Sequence, residues 1–253
     1  MNKLNRITHW RPANILATNV ESTPFCLIIL NQPLNRLDVF RRLWNNGKLL
    51  ASLSTCFYAN AFLSLATFKF VADGGSNRLY DAFCDDTQSL ERSVDIARND
   101  KLTGRMNLYF DRYLPDEIRG DLDSIRPEVK SYYASKHVPI TKLTDQDSTD
   151  FMKCVALLKE KEAQMNQFDI VAMPALGGRF DQTIASINML YFMKDQVERK
   201  VILLSDENIT VLLDKANNHK CFFGGMVSTS NVIDSDLIEI ETDAPLVWTI
   251  ELK

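Results

Sequence analysis

The stretch "DIVAMPALGGRFDQTIASINMLYFMKDQVERKVILLS" (residues 169–205) decides the fold class. It begins with an apolar run (169–178), continues with a helical pattern (179–195) and ends with a second apolar run (201–205). Short runs that are apolar on both faces are typical of strands buried in a parallel sheet. A strand, a helix and a strand at this spacing predict an α/β sheet with right-handed crossover connections.

The same pattern extends towards the N-terminus. Apolar runs at residues 25–30 and 70–75 predict two more strands, and residues 148–165 have another helical pattern. Ser148 or Asp147 is predicted to cap that helix, because a short polar side chain accepts hydrogen bonds from the free N–H groups at a helix start. The predicted buried residues are Phe151, Val155 and Leu158 in this helix, and Ile184, Ile187 and Tyr191 in the helix of residues 179–195.

The C-terminal end of the chain has a different pattern. Residues 237–252 contain two alternating apolar–polar runs around the turn "TDAP", which predicts a hairpin in an antiparallel unit. A domain boundary is therefore predicted near residues 213–224.

Length and composition restrict the function. The 253 residues suit one large domain, or one domain with a smaller one. A net charge of −4 and the lack of a long basic run argue against nucleic acid as a partner. Five scattered cysteines without a CxxC pair indicate reduced thiols, and the N-terminus lacks the apolar core of a secretion signal. A cytoplasmic location is therefore predicted.

One uncharged stretch, residues 49–68, is long enough to cross a bilayer. Several Ser, Thr and Asn side chains dilute it, and no basic cluster flanks it. A membrane span is therefore not expected, and the stretch is interpreted as a buried or badly accommodated insertion.

Acidic residues recur where predicted strands end or helices begin. Asp73 follows a strand, Asp121 and Asp123 lie two residues apart in "GDLDS", and Asp150 and Asp181 are at helix starts. Residues two apart on an extended chain point to the same side. The loops of an open α/β sheet meet outside the carboxyl ends of its strands, where ligands bind.

A single Asp at a helix start is usually a cap, and a single pair of carboxylates usually lies on the surface. Several carboxylates at one edge of a sheet repel each other unless a cation lies among them. Oxygen ligands favour Mg²⁺, which also binds the phosphates of a substrate. The acidic residues together therefore predict a site for Mg²⁺ and a nucleotide.

Glycines and arginines fit a phosphate ligand. Gly74–Gly75 and Gly177–Gly178 allow backbone N–H groups to approach phosphate at helix starts, and Arg78 and Arg179 supply positive charge. No GxxxxGK[ST] pattern is present, which excludes a P-loop kinase. None of the three histidines lies in these motifs, so nucleophilic chemistry based on histidine is not expected.

The chain also contains, in this order, "LIILNQPL", "RLWN", "ADGGSNRLYD", "GDLDSIRPEV", "DQDSTDFMKC", "LGGRFDQTIASIN", "VSTSN" and "ETDAPLVWT". Together these segments resemble the eukaryotic thiamin pyrophosphokinase family over most of residues 25–253. The resemblance implies transfer of the terminal diphosphate of ATP to the hydroxyl of thiamin, giving thiamin diphosphate and AMP. It also implies Mg²⁺ and a homodimer that binds thiamin between its subunits.

The fold implied by the resemblance has two domains. The first, residues 20–215, is an ATP-binding α/β domain of three layers with a parallel sheet. The second, residues 216–253, is an antiparallel β-sandwich that binds thiamin.

The resemblance also implies roles for individual residues. The proton of the thiamin hydroxyl is expected to go to a nearby carboxylate, which by position is Asp121 or Asp150. The implied catalytic residues are Asp121, Asp123, Asp150 and Gln146, and the implied metal ligands are Asp73, Asp121, Asp123 and Asp150. The implied nucleotide-binding residues are Asp73, Gly74, Gly75, Asn77, Arg78, Arg179, Asp181 and Gln182. The implied thiamin-binding residues are Ser228, Ser230 and Asn231.

Two departures from the family pattern lead to further expectations. Residues 51–70 interrupt a passage that reads "NGKLLVADGG" without them, so they are predicted to be foreign to the fold. After residue 220 the family continues through several strands and a "GLKW" segment, which this chain lacks. The β-sandwich is therefore predicted to be truncated.

Two alternative functions stay open from the sequence. A non-catalytic or impaired isoform would bind nucleotide, or pair with a full-length subunit, without making product. A different Mg²⁺-dependent nucleotide hydrolase on the same fold would need no thiamin pocket, and "VSTSN" argues against it.

Overall fold

The computed structural model describes residues 24–45, 66–85, 113–163, 166–194, 199–213 and 245–251. Within these residues the chain forms a mixed sheet of eight strands with helices packed on both faces. The predicted α/β class is confirmed, and truncation of the second domain stays a prediction. The strands are β1 (Phe25–Ile29), β2 (Ala66–Ala72), β3 (Glu117–Gly120), β4 (Ile140–Lys142), β5 (Asp169–Met173), β6 (Val201–Leu204), β7 (Asn208–Leu213) and β8 (Leu246–Glu251).

Five helices lie within the described residues. Each of them follows a strand of the parallel part of the sheet, as crossover connections require. They are α1 (Leu37–Asn45), α2 (residues 75–85), α3 (Pro127–Ser135), α4 (Asp150–Glu162) and α5 (Phe180–Met193).

The strands are arranged in the order β4-β3-β2-β1-β5-β6-β7-β8. Neighbours from β4 to β6 are parallel, and β7 and β8 are added antiparallel at the β6 edge. The chain proceeds from β1 to β4 towards one edge and then returns to place β5 on the other side of β1. The direction of winding therefore reverses between β1 and β5, which is where ligands bind in folds of this kind.

Side chains that point alternately to the two faces of the sheet divide the core into two layers. Phe25, Leu27 and Ile29 of β1 face one layer together with the apolar side chains of α1, α2 and α3. Cys26 and Ile28 face the other layer together with α4 and α5. These contacts give the three-layer arrangement that the sequence predicts.

The faces of the two long helices differ in how well they were predicted. Phe151, Val155 and Leu158 of α4 are buried, as predicted. The N-cap of α4 is Thr149, whose side chain accepts a hydrogen bond from the Met152 N–H, so the prediction of Ser148 or Asp147 was wrong.

The face predicted to be buried in α5 was wrong. Ile184 and Tyr191 are 45% and 38% exposed, and Ile187 is half-buried. The buried residues are Ser186, Met189, Leu190 and Met193. The sequence of α5 contains two apolar stripes, and periodicity alone does not tell which stripe faces the sheet.

Part of the predicted insertion belongs to the central sheet. Residues 66–70 form most of β2, which pairs with β1 on one side and β3 on the other. Phe70 is fully buried in the layer that contains α4 and α5. The expectation that all of residues 51–70 are foreign to the fold was therefore wrong for residues 66–70, and residues 51–65 lie outside the described residues.

The C-terminal strand joins the same sheet. Of the hairpin predicted over residues 237–252, only its second strand lies within the described residues. This strand, β8, pairs with β7 from Asn208–Glu251 to Leu213–Leu246.

Candidate functional site

The candidate site lies at the carboxyl edge of the parallel strands. The loops that follow β1, β2, β3 and β5 meet there, together with the first turn of α4. Among the described residues, three carboxylates at this edge place one oxygen each within 4.8 Å of the others: those of Asp73, Asp121 and Asp123.

Asp73 is the most buried of the three carboxylates, with only 1% of the residue exposed. Its Oδ2 accepts a hydrogen bond of 3.1 Å from the Ser124 N–H, whereas its buried Oδ1 has no hydrogen-bond partner among the described residues. An unpartnered carboxylate oxygen in a buried position is costly unless a ligand completes it. The oxygen-only set of three carboxylates therefore fits a hard divalent cation.

The backbone brings the carboxylates together by turning, and the extended-chain reasoning for Asp121 and Asp123 was wrong. β3 ends at Gly120, and Leu122 has a φ of 61°, in the left-handed region that a leucine rarely adopts. Asp73 also has a positive φ, of 32°. Oδ1 of Asp121 accepts a hydrogen bond of 3.3 Å from the Asp123 N–H, which stabilises this turn.

The electrostatics of the site are unusual at Asp73. Burial is the main cause that raises the pKa of Asp73 to about 6, and the negative charges of Asp150, Asp121 and Asp123 raise it further. The pKa of Asp123 is lowered instead, chiefly because the Ser124 hydroxyl donates a hydrogen bond of 2.8 Å to its Oδ1.

Asp150 lies next to this group but has a cation of its own. Its Oδ1 is 3.1 Å from Nζ of Lys153, whose side chain is only 4% exposed. Burial is the main cause that raises the pKa of Asp150, and the hydrogen bond from Lys153 opposes that shift. The resemblance grouped Asp150 with the metal ligands, and the structure places it beside them in an ion pair.

Gly120 allows Asp73 and Asp150 to approach each other. A Cβ at residue 120 would lie 2.6 Å from Cβ of Asp73 and 3.0 Å from Oδ1 of Asp150. A side chain at this position would push the two carboxylates apart.

Gly74 and Gly75 have a different local reason from the one expected. A Cβ on Gly74 would lie 2.3 Å from Nδ2 of Asn31, and one on Gly75 would lie 2.7 Å from the Ile29 carbonyl oxygen. Both glycines are buried and allow the start of α2 to pack on the end of β1.

Asn77 and Arg78 of α2 hold neighbouring loops. The Asn77 amide donates to the Ser124 carbonyl oxygen (2.8 Å) and accepts from the Arg126 N–H (3.0 Å), which fixes the loop that carries Asp121 and Asp123. Nε of Arg78 donates to Oδ1 of Asn31, at 3.3 Å.

The residues after β5 lie on the other side of β1. Gly177 and Gly178 have φ values of 108° and 61°, which favour glycine. Arg179 forms an ion pair with Asp181, and the Asp181 carboxylate also accepts the Gln182 N–H at 3.0 Å. All three of these polar side chains are exposed and open to a ligand.

The remaining predicted residues are less constrained. Gln146 is exposed in the loop before α4, where Asp145 accepts hydrogen bonds from Ser148 and the Asp147 N–H. The predicted thiamin-binding residues Ser228, Ser230 and Asn231 lie outside the described residues.

Some residues of the site were not singled out from the sequence. Lys153 is the fourth residue of α4 and lies in an apolar stretch, and a lysine at a core position was the available signal. Gly120 precedes the first aspartate of "GDLDS" directly, and its signal was a glycine at the end of a strand.

The described helices give no support to a membrane span. None of them combines the length and the apolar composition that crossing a bilayer requires. Of the uncharged stretch at residues 49–68, the last three residues lie in β2 and the others lie outside the described residues.

Two family profiles match the chain. The profile described as "Thiamin pyrophosphokinase, catalytic domain" matches residues 59–204. The profile described as "Thiamin pyrophosphokinase, vitamin B1 binding domain" matches residues 215–247.

Curated relatives align over most of the chain. "Thiamine pyrophosphokinase 3" of Oryza sativa subsp. japonica is 31% identical over 271 residues, covering 90% of this chain and 87% of the relative. "Thiamine pyrophosphokinase 1" of Arabidopsis thaliana is 30% identical, covering 91% of this chain and 87% of the relative. Both alignments are longer than the 253 residues of this chain, so they contain gaps on its side.

Solved structures are similar in fold. The crystal structure of yeast thiamin pyrophosphokinase superimposes with a TM-score of 0.53 at 25% identity, covering 80% of this chain and 64% of the yeast chain. Thiamin pyrophosphokinase from Candida albicans gives a TM-score of 0.51 at 26% identity, covering 76% of this chain and 61% of that chain. The matched part thus spans under two thirds of either solved chain.

Proposed function

The chain belongs to the thiamin pyrophosphokinase family, and we propose that it transfers the diphosphate group of ATP to the hydroxyl of thiamin, giving thiamin diphosphate and AMP. A relative that aligns over 90% of this chain is named a thiamine pyrophosphokinase. The profiles of both domains of the family also match the chain. The single observation that carries the assignment to a site is the group of Asp73, Asp121 and Asp123 at the carboxyl edge of the sheet.

We assign these three carboxylates to Mg²⁺. The unpartnered Oδ1 of Asp73 and the oxygen-only ligand set support this choice. A bound Mg²⁺ would supply positive charge that offsets the charge of the phosphates. The chain itself fixes the three carboxylates through the Ser124 hydrogen bonds and the turn at Leu122.

We assign Asp150 the role of accepting the proton of the thiamin hydroxyl. Its pKa is raised, mainly by burial, so it binds a proton more readily than an ordinary aspartate. The ion pair with Lys153 holds the carboxylate in one orientation. We assign Gln146, which is exposed in the loop just before α4, the role of orienting the reacting groups.

We assign the nucleotide to the crevice between the loops after β2 and β5. Asp73, Gly74, Gly75, Asn77 and Arg78 lie on one side of it, and Arg179, Asp181 and Gln182 lie on the other. Two arginines would meet phosphate charge there. Ser228, Ser230 and Asn231 are assigned to thiamin, on the family resemblance of "VSTSN".

We propose a homodimer in the cytoplasm, with residues 20–215 as the catalytic domain and 216–253 as a shortened thiamin-binding domain. Free thiols at Cys26, Cys84 and Cys154 are consistent with a reducing compartment. The catalytic function is preferred to a non-catalytic isoform, because the relatives that match over nine tenths of the chain are named thiamine pyrophosphokinases and the vitamin B1 binding profile also matches.

The test is replacement of one carboxylate without loss of the fold. Asp123→Asn should lower the rate of AMP and thiamin diphosphate formation at least a hundredfold, because phosphoryl transfer depends on charge neutralisation at the metal. The exposed Asp38→Asn variant is the matched control and should retain the wild-type rate. Near-normal activity of Asp123→Asn with unchanged Mg²⁺ dependence would contradict the assignment.

A further inference from the structure

Gln32 lies at the point where the winding of the sheet reverses. It follows β1 by three residues, and β1 is the strand flanked by β2 and β5. We propose that the side-chain amide of Gln32 donates a hydrogen bond to the phosphate chain of the nucleotide, and so is a binding residue of this site.

The first observation is burial without a partner. Gln32 is only 7% exposed, and no hydrogen bond joins its side-chain amide to another described residue. The amide atoms are not among the fully buried unpartnered ones, so they still reach solvent. The Gln32 backbone is fixed, because its N–H donates to the Leu30 carbonyl oxygen at 2.9 Å. A side chain that is largely enclosed, has no partner among the described residues and still reaches solvent is available to a ligand.

The second observation is the position of Gln32 between the two halves of the site. The neighbouring Asn31 contacts Gly74 and Arg78, on the side of the carboxylates. Gln32 itself contacts the glycine loop after β5: a Cβ built on Gly178 would lie 3.1 Å from its Oε1, and one on Gly177 would lie 3.6 Å away. A ligand that reaches from the carboxylates to the glycine loop must pass this side chain.

The chemistry of the amide indicates which part of the ligand it meets. Oε1 is the atom nearest the two glycines, which leaves the Nε2 donor for a ligand. The phosphate chain is the part of a nucleotide that would extend from a metal on Asp73, Asp121 and Asp123 to Arg179. Phosphate oxygens accept hydrogen bonds, and bonds to charged groups are stronger than neutral ones.

This inference rests on the proposed function, because it takes ATP as the ligand. The experiment therefore measures ATP binding to the wild-type chain alongside the variants, by calorimetry with Mg²⁺ and without thiamin. Gln32→Met keeps the length of the side chain and removes its hydrogen bonds. The matched control is Gln167→Met, at an exposed glutamine before β5, at the opposite end of the strands.

We expect Gln32→Met to weaken ATP binding about tenfold or more, since a hydrogen bond to a charged group is lost. Its midpoint of thermal unfolding should stay close to that of the wild type, because the variant keeps the size of the side chain and breaks no hydrogen bond within the described residues. Gln167→Met should bind ATP as the wild type does.

A second variant, Gln32→Glu, tests the choice of phosphate. A carboxylate at this position would repel the phosphates, so Gln32→Glu should bind ATP more weakly than Gln32→Met. Equal weakening by both variants would indicate a contact with the uncharged nucleoside and would contradict the phosphate assignment.

Two further outcomes separate this inference from the proposed function. Wild-type affinity in both Gln32 variants would overturn the inference and leave the function standing. A wild-type chain that does not bind ATP would overturn the function, and the inference with it.

Discussion

Asp73 is the residue whose surroundings constrain its chemistry most. It directly follows β2, turns the chain with a positive φ, and places one oxygen in a buried position without a partner among the described residues. Desolvation and three neighbouring carboxylates, those of Asp150, Asp121 and Asp123, disfavour its charged form. The same features that suit Asp73 to a cation should therefore destabilise the metal-free protein.

The first prediction concerns the pH dependence of this cost. The pKa of Asp73 rises from 3.8 to about 6 on folding, so between these values the folded chain holds a proton that the unfolded chain has released. The free energy of unfolding of the metal-free protein should fall through this window as pH rises. Asp73→Asn removes the effect and should be more stable than the wild type by about 2 kcal/mol at pH 7, with little difference at pH 4.

Urea unfolding in the presence of a chelator, from pH 4 to pH 7, measures this difference. Glu207→Gln, at an exposed carboxylate in the turn between β6 and β7, controls for a general loss of negative charge. A stability difference between Asp73→Asn and the wild type that does not change with pH would contradict the account of Asp73.

A second prediction concerns the partly buried ion pair between Lys153 and Asp150. Lys153→Met leaves Asp150 without its cation in an already negative site, and should lower the free energy of unfolding by about 1–3 kcal/mol, because Asp150 is only partly buried. The double variant Lys153→Met/Asp150→Asn should recover part of this loss.

The control for this pair is Lys161→Met, at an exposed lysine near the end of the same helix. Denaturant unfolding of the single and double variants gives the coupling free energy between the two side chains. Additive losses in the double variant would show that Lys153 and Asp150 do not stabilise each other.

At the scale of residues, the sequence identified the acidic residues of the candidate site but not the residues that pack against them. Asp73, Asp121 and Asp123 could be found because each follows a strand, and strand ends meet at one edge of the sheet. Gly120 and Lys153 could not be found in this way, because their importance depends on contacts between β3, α4 and the loop after β2.

At the scale of elements, short apolar runs predicted strands well and helix faces only in part. β1, β5 and β6 begin where the apolar runs begin, since these strands are buried on both sides and need no alternation. α4 has one apolar stripe and its buried face was predicted correctly. α5 has two apolar stripes, and the choice between them is made by packing against the sheet.

β2 is the element at which the sequence interpretation was most mistaken. Residues 66–70 were assigned to a foreign segment on the spacing of a family pattern, yet they supply most of a central strand. The segment "ATFKFVA" becomes a central strand because it pairs with β1 and β3. A comparison of motif spacing along the sequence contains no information about this pairing.

A third prediction follows for this strand. Phe70→Ala should lower the free energy of unfolding by about 3–5 kcal/mol, because the ring is fully buried between the sheet and α4. Phe180→Ala, at a ring that is 79% exposed, should change it by less than about 0.5 kcal/mol. Equal, small effects of the two substitutions would show that residues 66–70 lie outside the cooperative fold.

At the scale of the whole molecule, the sheet joins residues assigned to both domains. β8 comes from the C-terminal segment and pairs with β7 along its whole length, at the edge of the sheet beyond β6. The carboxylates of Asp73, Asp121 and Asp123 lie in the other half of the sheet, just after the carboxyl ends of β2 and β3. The proposed metal and nucleotide sites therefore both lie in the parallel part of the sheet.

The central claim is that this chain transfers a diphosphate group from ATP to thiamin. The most direct measurement uses ATP with a radioactive γ-phosphate and identifies the product that carries the label. With thiamin and Mg²⁺ present, the account predicts that the label appears in thiamin diphosphate and that one AMP forms for each molecule of product. Label released as phosphate or diphosphate whether or not thiamin is present would indicate a nucleotide hydrolase. Formation of ADP with thiamin monophosphate, or no product that depends on thiamin, would equally contradict the account.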